Sequence, residues 1–396
     1  METVQPESMG FSGQRLERIN HVMQQYVDEK KLAGIVSLVA RHGKIVHFEK
    51  FGMADIRGKK PMQTDSLFRI YSMTKPITST AVLMLFEEGR FRLTDPVEQY
   101  IPAFKDVKVL DSSPNSVKRL IEPNRPVSIR DLLTHTAGLS YGFDDNFYVD
   151  DLYRKNMWAK MDRGSLNLEG MVTEIAKIPL LFQPGTNFHY STAVDVLGYL
   201  VQVVSGIPFE DFLQLRIFDP LGMVDTAFYV PPEKTGRFTV VYGPEEKGGL
   251  KVVDQIKGSR YLNPPKAPSG GGGLVSSTLD YLCFCQMLLN HGEFEGMRLL
   301  GRKTVELMTL DHLPAGVDVG SPHEGFGLGV SVIRDVAKSQ NLGSVGIYGW
   351  GGAANTNFWI DPVEDLIGIF MSQYMAPDIM LAETDYRNLV YQALVD

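Results

Sequence analysis

The chain has 396 residues, of which 44% are hydrophobic and 22% charged, which excludes a disordered polypeptide and leaves ample apolar material for a large buried core. Its 39 lysines and arginines stand against 47 aspartates and glutamates, a net charge of −8 that argues against a nucleic-acid partner. No apolar run is long enough to cross a bilayer as a helix, so no membrane partner is expected.

The opening METVQPESMG lacks the basic, apolar and cleavage regions of a secretory signal, and the expectation is a cytoplasmic protein. Helical spacing of Leu16, Ile19, Val22, Met23 and Tyr26 predicts a first helix over 13–29. Two strands follow, Gly34 to Ala40 and Lys44 to Phe51, with Arg41, His42 and Gly43 as the turn of an antiparallel hairpin. A short extended piece, Leu67 to Ile70, leads into Tyr71 and Ser72. Lys75 to Gly89 reads as a buried helix carrying Ile77, Ala81, Val82, Met84 and Leu85, with Gly89 as its stop.

Beyond Asp95 the texture changes, with Pro96, Pro102, Pro114, Pro123 and Pro126 breaking the chain. Ser128 and Asp131 resemble a capping box for a helix through Leu133. Helices are expected at Met171–Ala176, Thr192–Val204 and Phe209–Ile217, which makes Phe91 to about Val224 a mainly helical insertion. Strands return at Gly248–Val253, Gly327–Arg334, Thr356–Ile360 and Leu366–Ser372. Gly270 to Gly273 permits tight backbone packing. Ser277 precedes a helix through Leu289, and Glu383–Leu394 is the terminal helix. Cys283 and Cys285 are the two cysteines and do not share a helix face, so two reduced structural thiols are expected. The first hairpin and the last strands are predicted to share one antiparallel sheet, bringing the chain ends together. The resulting division is a sheet domain of 1–90 with 225–396 and a helical domain of 91–224.

Three motifs carry chemistry. Ser72-Met73-Thr74-Lys75 is an S-x-x-K at a helix start; residues three apart share a helix face, so the Lys75 amine reaches the Ser72 hydroxyl. The helix N-terminus favours the negative charge that develops as a serine attacks. His189-Tyr190-Ser191-Thr192 precedes an apolar helix; a tyrosine facing Ser72 can relay a proton, with Lys75 favouring its phenolate. Trp350-Gly351-Gly352-Ala353 follows as a glycine pair beside a strand, which lets backbone approach a substrate and offers an N–H opposite that of Ser72 as an oxyanion hole.

Two literal motifs are decoys. Lys234-Thr235-Gly236 follows Pro231-Pro232, which predicts a loop. Gly138-Leu139-Ser140-Tyr141-Gly142 has the letters of a nucleophile elbow, but a short helix precedes it and a loop follows, the reverse of what an elbow needs. His42 and His47 sit in or beside the first hairpin, His135 belongs to a structural landmark, and His291, His312 and His323 are expected to be solvated in turns. No zinc-protease pattern appears.

In order and context the motifs resemble the serine beta-lactamase and penicillin-binding-protein superfamily, and most of all its esterase branch, the bacterial family VIII carboxylesterases. Supporting landmarks are Leu67-Phe68-Arg69-Ile70, the run Leu132-Leu133-Thr134-His135-Thr136-Ala137-Gly138-Leu139, Pro184-Gly185 before Tyr190, and Gly270 to Leu274. The resemblance implies an α+β fold, an antiparallel sheet flanked by helices with a helical second lobe. It implies Ser72 as nucleophile, Lys75 as its base partner, Tyr190 as relay, the amides of Ser72 and Ala353 as oxyanion donors, an acyl-enzyme intermediate, and no metal or other cofactor. Where beta-lactamases and peptidases have Y-x-N and a K-T-G-like triad, this chain has Tyr190-Ser191-Thr192 and Trp350-Gly351-Gly352. Loss of that cation weakens carboxylate recognition there by roughly 1.5–3 kcal/mol, and an indole favours uncharged esters. The expected partner is a small-molecule ester of short to medium acyl length. Tyr141, Phe143, Phe147, Tyr148, Trp158 and Trp350 are candidates for an aromatic substrate wall. Beta-lactamase, D-alanyl-D-alanine peptidase and acyltransferase activities remain open alternatives on the same scaffold, as does a catalytically silent binding protein.

Overall fold

The computed structural model describes residues 1–111, 119–144, 148–246, 248–376 and 380–396; Pro114 and Phe147 lie outside them. Its centre is an eight-stranded sheet. Strands β1 (Gly34–Arg41) and β2 (Lys44–Asp55) form the predicted hairpin. His42 and Gly43 turn it with φ of 51° and 70°, the left-handed pair that a two-residue hairpin loop demands. β3 (Lys60–Pro61) extends this edge. The rest of the sheet comes from the C-terminal part: β4 (Glu324–Phe326), β5 (Ser331–Ile333), β6 (Tyr348–Gly352), β7 (Thr356–Asp361) and β8 (Leu366–Ser372). The spatial order is β4-β5-β6-β7-β8-β1-β2-β3, every pairing antiparallel. β1 meets β8 from Ile35 opposite Ser372 to Arg41 opposite Leu366.

Every residue of β1 is buried, because both sheet faces are covered. On the outer face Ile35, Val39 and Phe370 pack with Ile19 and Met23 of α1 (Arg18–Asp28) and Tyr386 and Val390 of α5 (Met380–Tyr391). On the inner face Val36, Leu38 and Ile369 belong to a larger core with α2 (Thr74–Glu87), α3 (Ala193–Ser205) and α4 (Thr278–Leu289). Truncating one of these aliphatic side chains to alanine costs about 2–5 kcal/mol. α2 is the innermost helix, buried continuously from Thr74 to Leu85. Short helices at Ile129–Leu133 and Leu168–Ala176 and the start of α3 complete the helical second lobe, and the fold is α+β. The chain ends meet: Ser12 N–H donates to the Ala393 carbonyl at 2.8 Å, Val395 N–H to the Gly10 carbonyl at 2.9 Å, and Arg41 pairs with Asp396 at 2.8 Å.

The capping box is present, Asp131 N–H donating to Ser128 Oγ at 3.2 Å and Ser128 N–H to Asp131 Oδ2 at 2.8 Å. Several boundaries differ. The extended piece expected over 327–334 is the hairpin β4–β5 instead: Gly327 N–H donates to the Val330 carbonyl at 2.8 Å and Gly329 turns at φ 98°. A Cβ on Gly329 would lie 2.1 Å from Ser79 Oγ of α2, so the turn needs glycine twice over. The first helix breaks at Glu17, between Gly13–Leu16 and α1. Leu250–Asp254 pairs with Val241–Pro244, a strand the sequence pattern did not mark. The helix at Phe209 runs to Leu213 and then loosens into a π turn over Gln214–Phe218. On α4 Cys285 is fully buried and Cys283 half-buried, both free thiols; burial pushes Cys283 up to about 11.

Candidate active site

A two-residue ladder, Phe68–Arg69 with Val275–Ser276, carries the chain to Tyr71. Tyr71 sits at φ 42°, a left-handed conformation that costs a bulky residue energy and here directly precedes Ser72. A tight turn over Tyr71–Met73 then enters α2, placing Ser72 and Lys75 one helical turn apart.

Lys75 is fully buried. Its Nζ donates to Ser72 Oγ at 3.2 Å, Tyr141 Oη at 2.9 Å and the Gly271 carbonyl at 2.6 Å. Three acceptors match the three donors of an ammonium group. Tyr190 Oη lies 2.6 Å from Ser72 Oγ, and Lys75 Nζ sits 4.5 Å from the centre of the Tyr190 ring. Trp350 Nε1 donates to Tyr190 Oη at 3.4 Å.

His135 supports this tyrosine from behind. Its ring lies 4.9 Å from that of Tyr190, and its Nδ1 accepts the Ser191 N–H at 3.2 Å. Burial holds its imidazole well below the usual histidine range, so it remains a neutral structural acceptor. Gly352, at the end of β6, packs so closely on the segment before Ser72 that a Cβ would lie 2.3 Å from the Ile70 carbonyl oxygen. That contact sets Ala353, exposed at the strand's end, beside the turn bearing Ser72, and both line one cleft. Gly351 lines it too; a Cβ there would meet Asn357 Nδ2 at 3.2 Å.

The cleft has a volume of about 1310 Å³, above the usual range of small-ligand pockets, with room for both halves of a bulky ester. Tyr141, Phe143, Trp158 and Trp350 line it; Tyr148 does not. Tyr141 stacks between Phe143 at 4.8 Å and Trp158 at 6.3 Å, nearly parallel to both. Phe143 is 76% exposed at the mouth. Tyr141 is more than a wall: its hydroxyl is a ligand of Lys75, and burial raises it well above the usual phenol range.

Two contributors escaped the sequence reading. Asp195 on α3 is completely buried. Its Oδ1 accepts Ser269 Oγ at 2.5 Å and the Gly271 N–H at 3.0 Å, so it fixes the segment whose carbonyl holds Lys75. Its Oδ2 has no hydrogen-bond partner among the described residues. Burial raises its carboxyl above the usual range while Lys75 pulls it back down. The local sign was an acid inside an apolar run, Ala193-Val194-Asp195-Val196-Leu197. The other is the Gly271 carbonyl itself.

The decoys fall elsewhere. Lys234 lies in a helical turn over Pro232–Arg237 and pairs with Asp225 at 3.0 Å, away from the cleft. Ser140 is buried, bonded to Asp150 and 3.1 Å from His189 Nε2. His312 is not solvated as expected: it is half-buried with Nε2 2.8 Å from the Leu307 carbonyl oxygen, and His323 bonds Ser321.

The sequence matches the beta-lactamase family over residues 19–392. An uncharacterized protein of Mycobacterium tuberculosis is 35% identical over 90% of this chain and 89% of its own length. Esterase EstB of Burkholderia gladioli is 31% identical over 87% of this chain and 86% of its own. Among solved structures, EstCE1, described as a hydrolase with promiscuous acyltransferase activity, superposes with a TM-score of 0.83 at 28% identity, covering 96% of this chain and 99% of that one. The chain therefore belongs to the beta-lactamase family, in the superfamily that family VIII esterases share with penicillin-binding proteins, and is an enzyme of the serine-hydrolase type.

Proposed function

We propose that the protein is a carboxylesterase that cleaves short- to medium-chain acyl esters through an acyl-enzyme on Ser72. The observation that carries this reading is the convergence of Tyr190 Oη, at 2.6 Å, and Lys75 Nζ, at 3.2 Å, on Ser72 Oγ. Ser72 Oγ attacks the ester carbonyl, and its proton passes to Tyr190 Oη, whose phenolate Lys75 stabilises. The amides of Ser72 and Ala353 receive the oxyanion. Tyr190 returns the proton to the departing alkoxide, releasing the alcohol. Water then repeats the sequence on the acyl-serine, giving the acid and free Ser72. Trp350 occupies the place where the peptidases of this superfamily carry a cation, which favours an apolar group beside the scissile bond. The name of the EstCE1 relative gives specific support to a second reading, acyl transfer, in which an alcohol replaces water in the second half.

The test is kinetics on wild type and Ser72→Ala with p-nitrophenyl acetate, butyrate and laurate alongside nitrocefin. The expected result is ester turnover reduced at least about 10³-fold in the variant, with slow or absent nitrocefin turnover. Nitrocefin turnover far above ester turnover contradicts the reading. So do rates that climb steadily into long acyl chains.

A further inference from the structure

One cation in the cleft is idle in the chemistry above. Arg260 opens a single helical turn, Arg260–Leu262, and its side chain is exposed into the cleft that also contains Ser72. The segment beneath it is held by hydrogen bonds on both sides. Ser259 is buried and accepts Arg69 Nη2 at 3.0 Å, and the Tyr261 carbonyl accepts the Val230 N–H at 2.7 Å. Tyr261 Oη reaches the Gly272 carbonyl at 3.4 Å, and its ring meets Tyr71, the neighbour of Ser72, edge-on at 6.4 Å.

Two guanidinium groups lie over that Tyr261 ring, Arg69 at 5.4 Å and Arg260 at 5.2 Å. Their circumstances are opposite. Arg69 is buried and its charge is met by Asp254 at 2.8 Å. Among the described residues Arg260 donates a hydrogen bond only to the Tyr261 hydroxyl, at 3.4 Å, and no carboxylate forms an ion pair with it; Asp254, paired to Arg69, acts on it only from a longer distance. The other charged groups on this side of the cleft are Asp162 and Lys266, and Lys266 donates to the Gly164 carbonyl at 3.0 Å. A guanidinium held on an aromatic face, two ring spacings from the residue beside the nucleophile, is pre-organised to accept a planar anion.

We propose that Arg260 is a specificity-determining residue that binds a carboxylate on the substrate, so that the preferred esters carry a free acid several carbons from the scissile bond. This rests on the esterase reading. It differs from the carboxylate site of peptidases, whose position Trp350 occupies: here the anion lies on the Tyr261 side of the nucleophile.

The experiment compares matched substrates with and without the charge. Mono-p-nitrophenyl adipate against its methyl-capped diester probes the acyl side. 4-Acetoxybenzoate against methyl 4-acetoxybenzoate probes the alcohol side. For wild type, kcat/KM is expected to favour the free acid at least about tenfold on one pair, mainly through KM, and less at high salt. Arg260→Gln is expected to abolish the preference and Arg260→Lys to keep part of it, while Lys266→Gln retains it. A wild-type ratio near one on both pairs overturns the proposal. A ratio that survives in Arg260→Gln, or is lost in Lys266→Gln instead, does the same. Should Arg260→Gln fail to fold, the wild-type ratio and its salt dependence decide. Turnover of p-nitrophenyl acetate without an acid preference removes only the role of Arg260. Absence of all ester turnover removes the esterase reading itself.

Discussion

Two serine-centred clusters lie side by side in this protein. Ser72 meets Lys75 and Tyr190; Ser140, next to Tyr141, meets Asp150 and His189, next to Tyr190. By residue type the second is closer to the familiar serine–histidine–aspartate set. Yet Ser140 is 1% exposed and bonds its acid directly, so the histidine does not stand between acid and nucleophile. Its N–H is also tied, to Tyr153 Oη at 3.2 Å, and its carbonyl accepts Thr192 Oγ1 at 3.1 Å. Ser72 faces a cleft, with its partners on one side and open space on the other. A serine hydroxyl makes a structural pin when it is sealed in and a candidate nucleophile when one face is left open.

Substitutions separate the two. Tyr190→Phe keeps the ring and removes the oxygen 2.6 Å from Ser72, so kcat with p-nitrophenyl butyrate is expected to fall about 10²–10⁴-fold while circular dichroism is unchanged. Asp195→Asn removes the carboxyl group behind Gly271; kcat is expected to fall about tenfold with a displaced pH–rate profile, because both the anchor of Lys75 and the local field change. A fall with an unmoved profile would reduce Asp195 to packing. Ser140→Ala should do the reverse: activity within about threefold of wild type and a stability loss of about 1–2 kcal/mol in urea denaturation, since it orphans part of a buried network. Loss of activity in Ser140→Ala without loss of stability would dissolve the contrast.

A last effect concerns acid. His47 is buried in β2, bonded to Ser37 Oγ at 2.8 Å, and burial lowers it to about 4. The unfolded chain then binds the extra proton below about pH 6.5, so this group's stabilisation is complete above that pH and is lost as pH falls towards 4. Asp280, raised by burial to about 6, works in the opposite sense, protonating in the folded state first. The measurable quantity is therefore a difference. Between pH 7 and 5, wild type should lose about 2 kcal/mol more stability than His47→Gln, measured by urea denaturation at each pH.

What the sequence made legible was local. Ser72 and Lys75 are three residues apart, and the capping box at Ser128 and the turn at His42-Gly43 are equally short in range. The shared sheet was legible because a hairpin whose first strand is apolar on both faces needs covering layers and partners. Three things were not legible. Lys75 finds its strongest acceptor, Gly271, 196 residues away, and Asp195 reaches that glycine across 76. Arg260 lies at the cleft beside the edge-on contact of Tyr261 with Tyr71, which no spacing announces. The β4–β5 hairpin looked like one extended run because its turn is glycine and aliphatic, and its shape depends on the close approach of Gly329 to Ser79.

The pairing of β1 with β8 also has a consequence in time. Ile35 waits for Ser372, more than three hundred residues later. At a synthesis rate of about 5–20 residues per second, the first hairpin leaves the ribosome about 15–70 seconds before its neighbour exists. For that interval a strand destined to be buried on both faces has an unpaired apolar edge, the kind of surface that chaperones bind and aggregates recruit. Yield in a cell should therefore respond to chaperone supply more strongly than the equilibrium stability of the finished molecule would suggest.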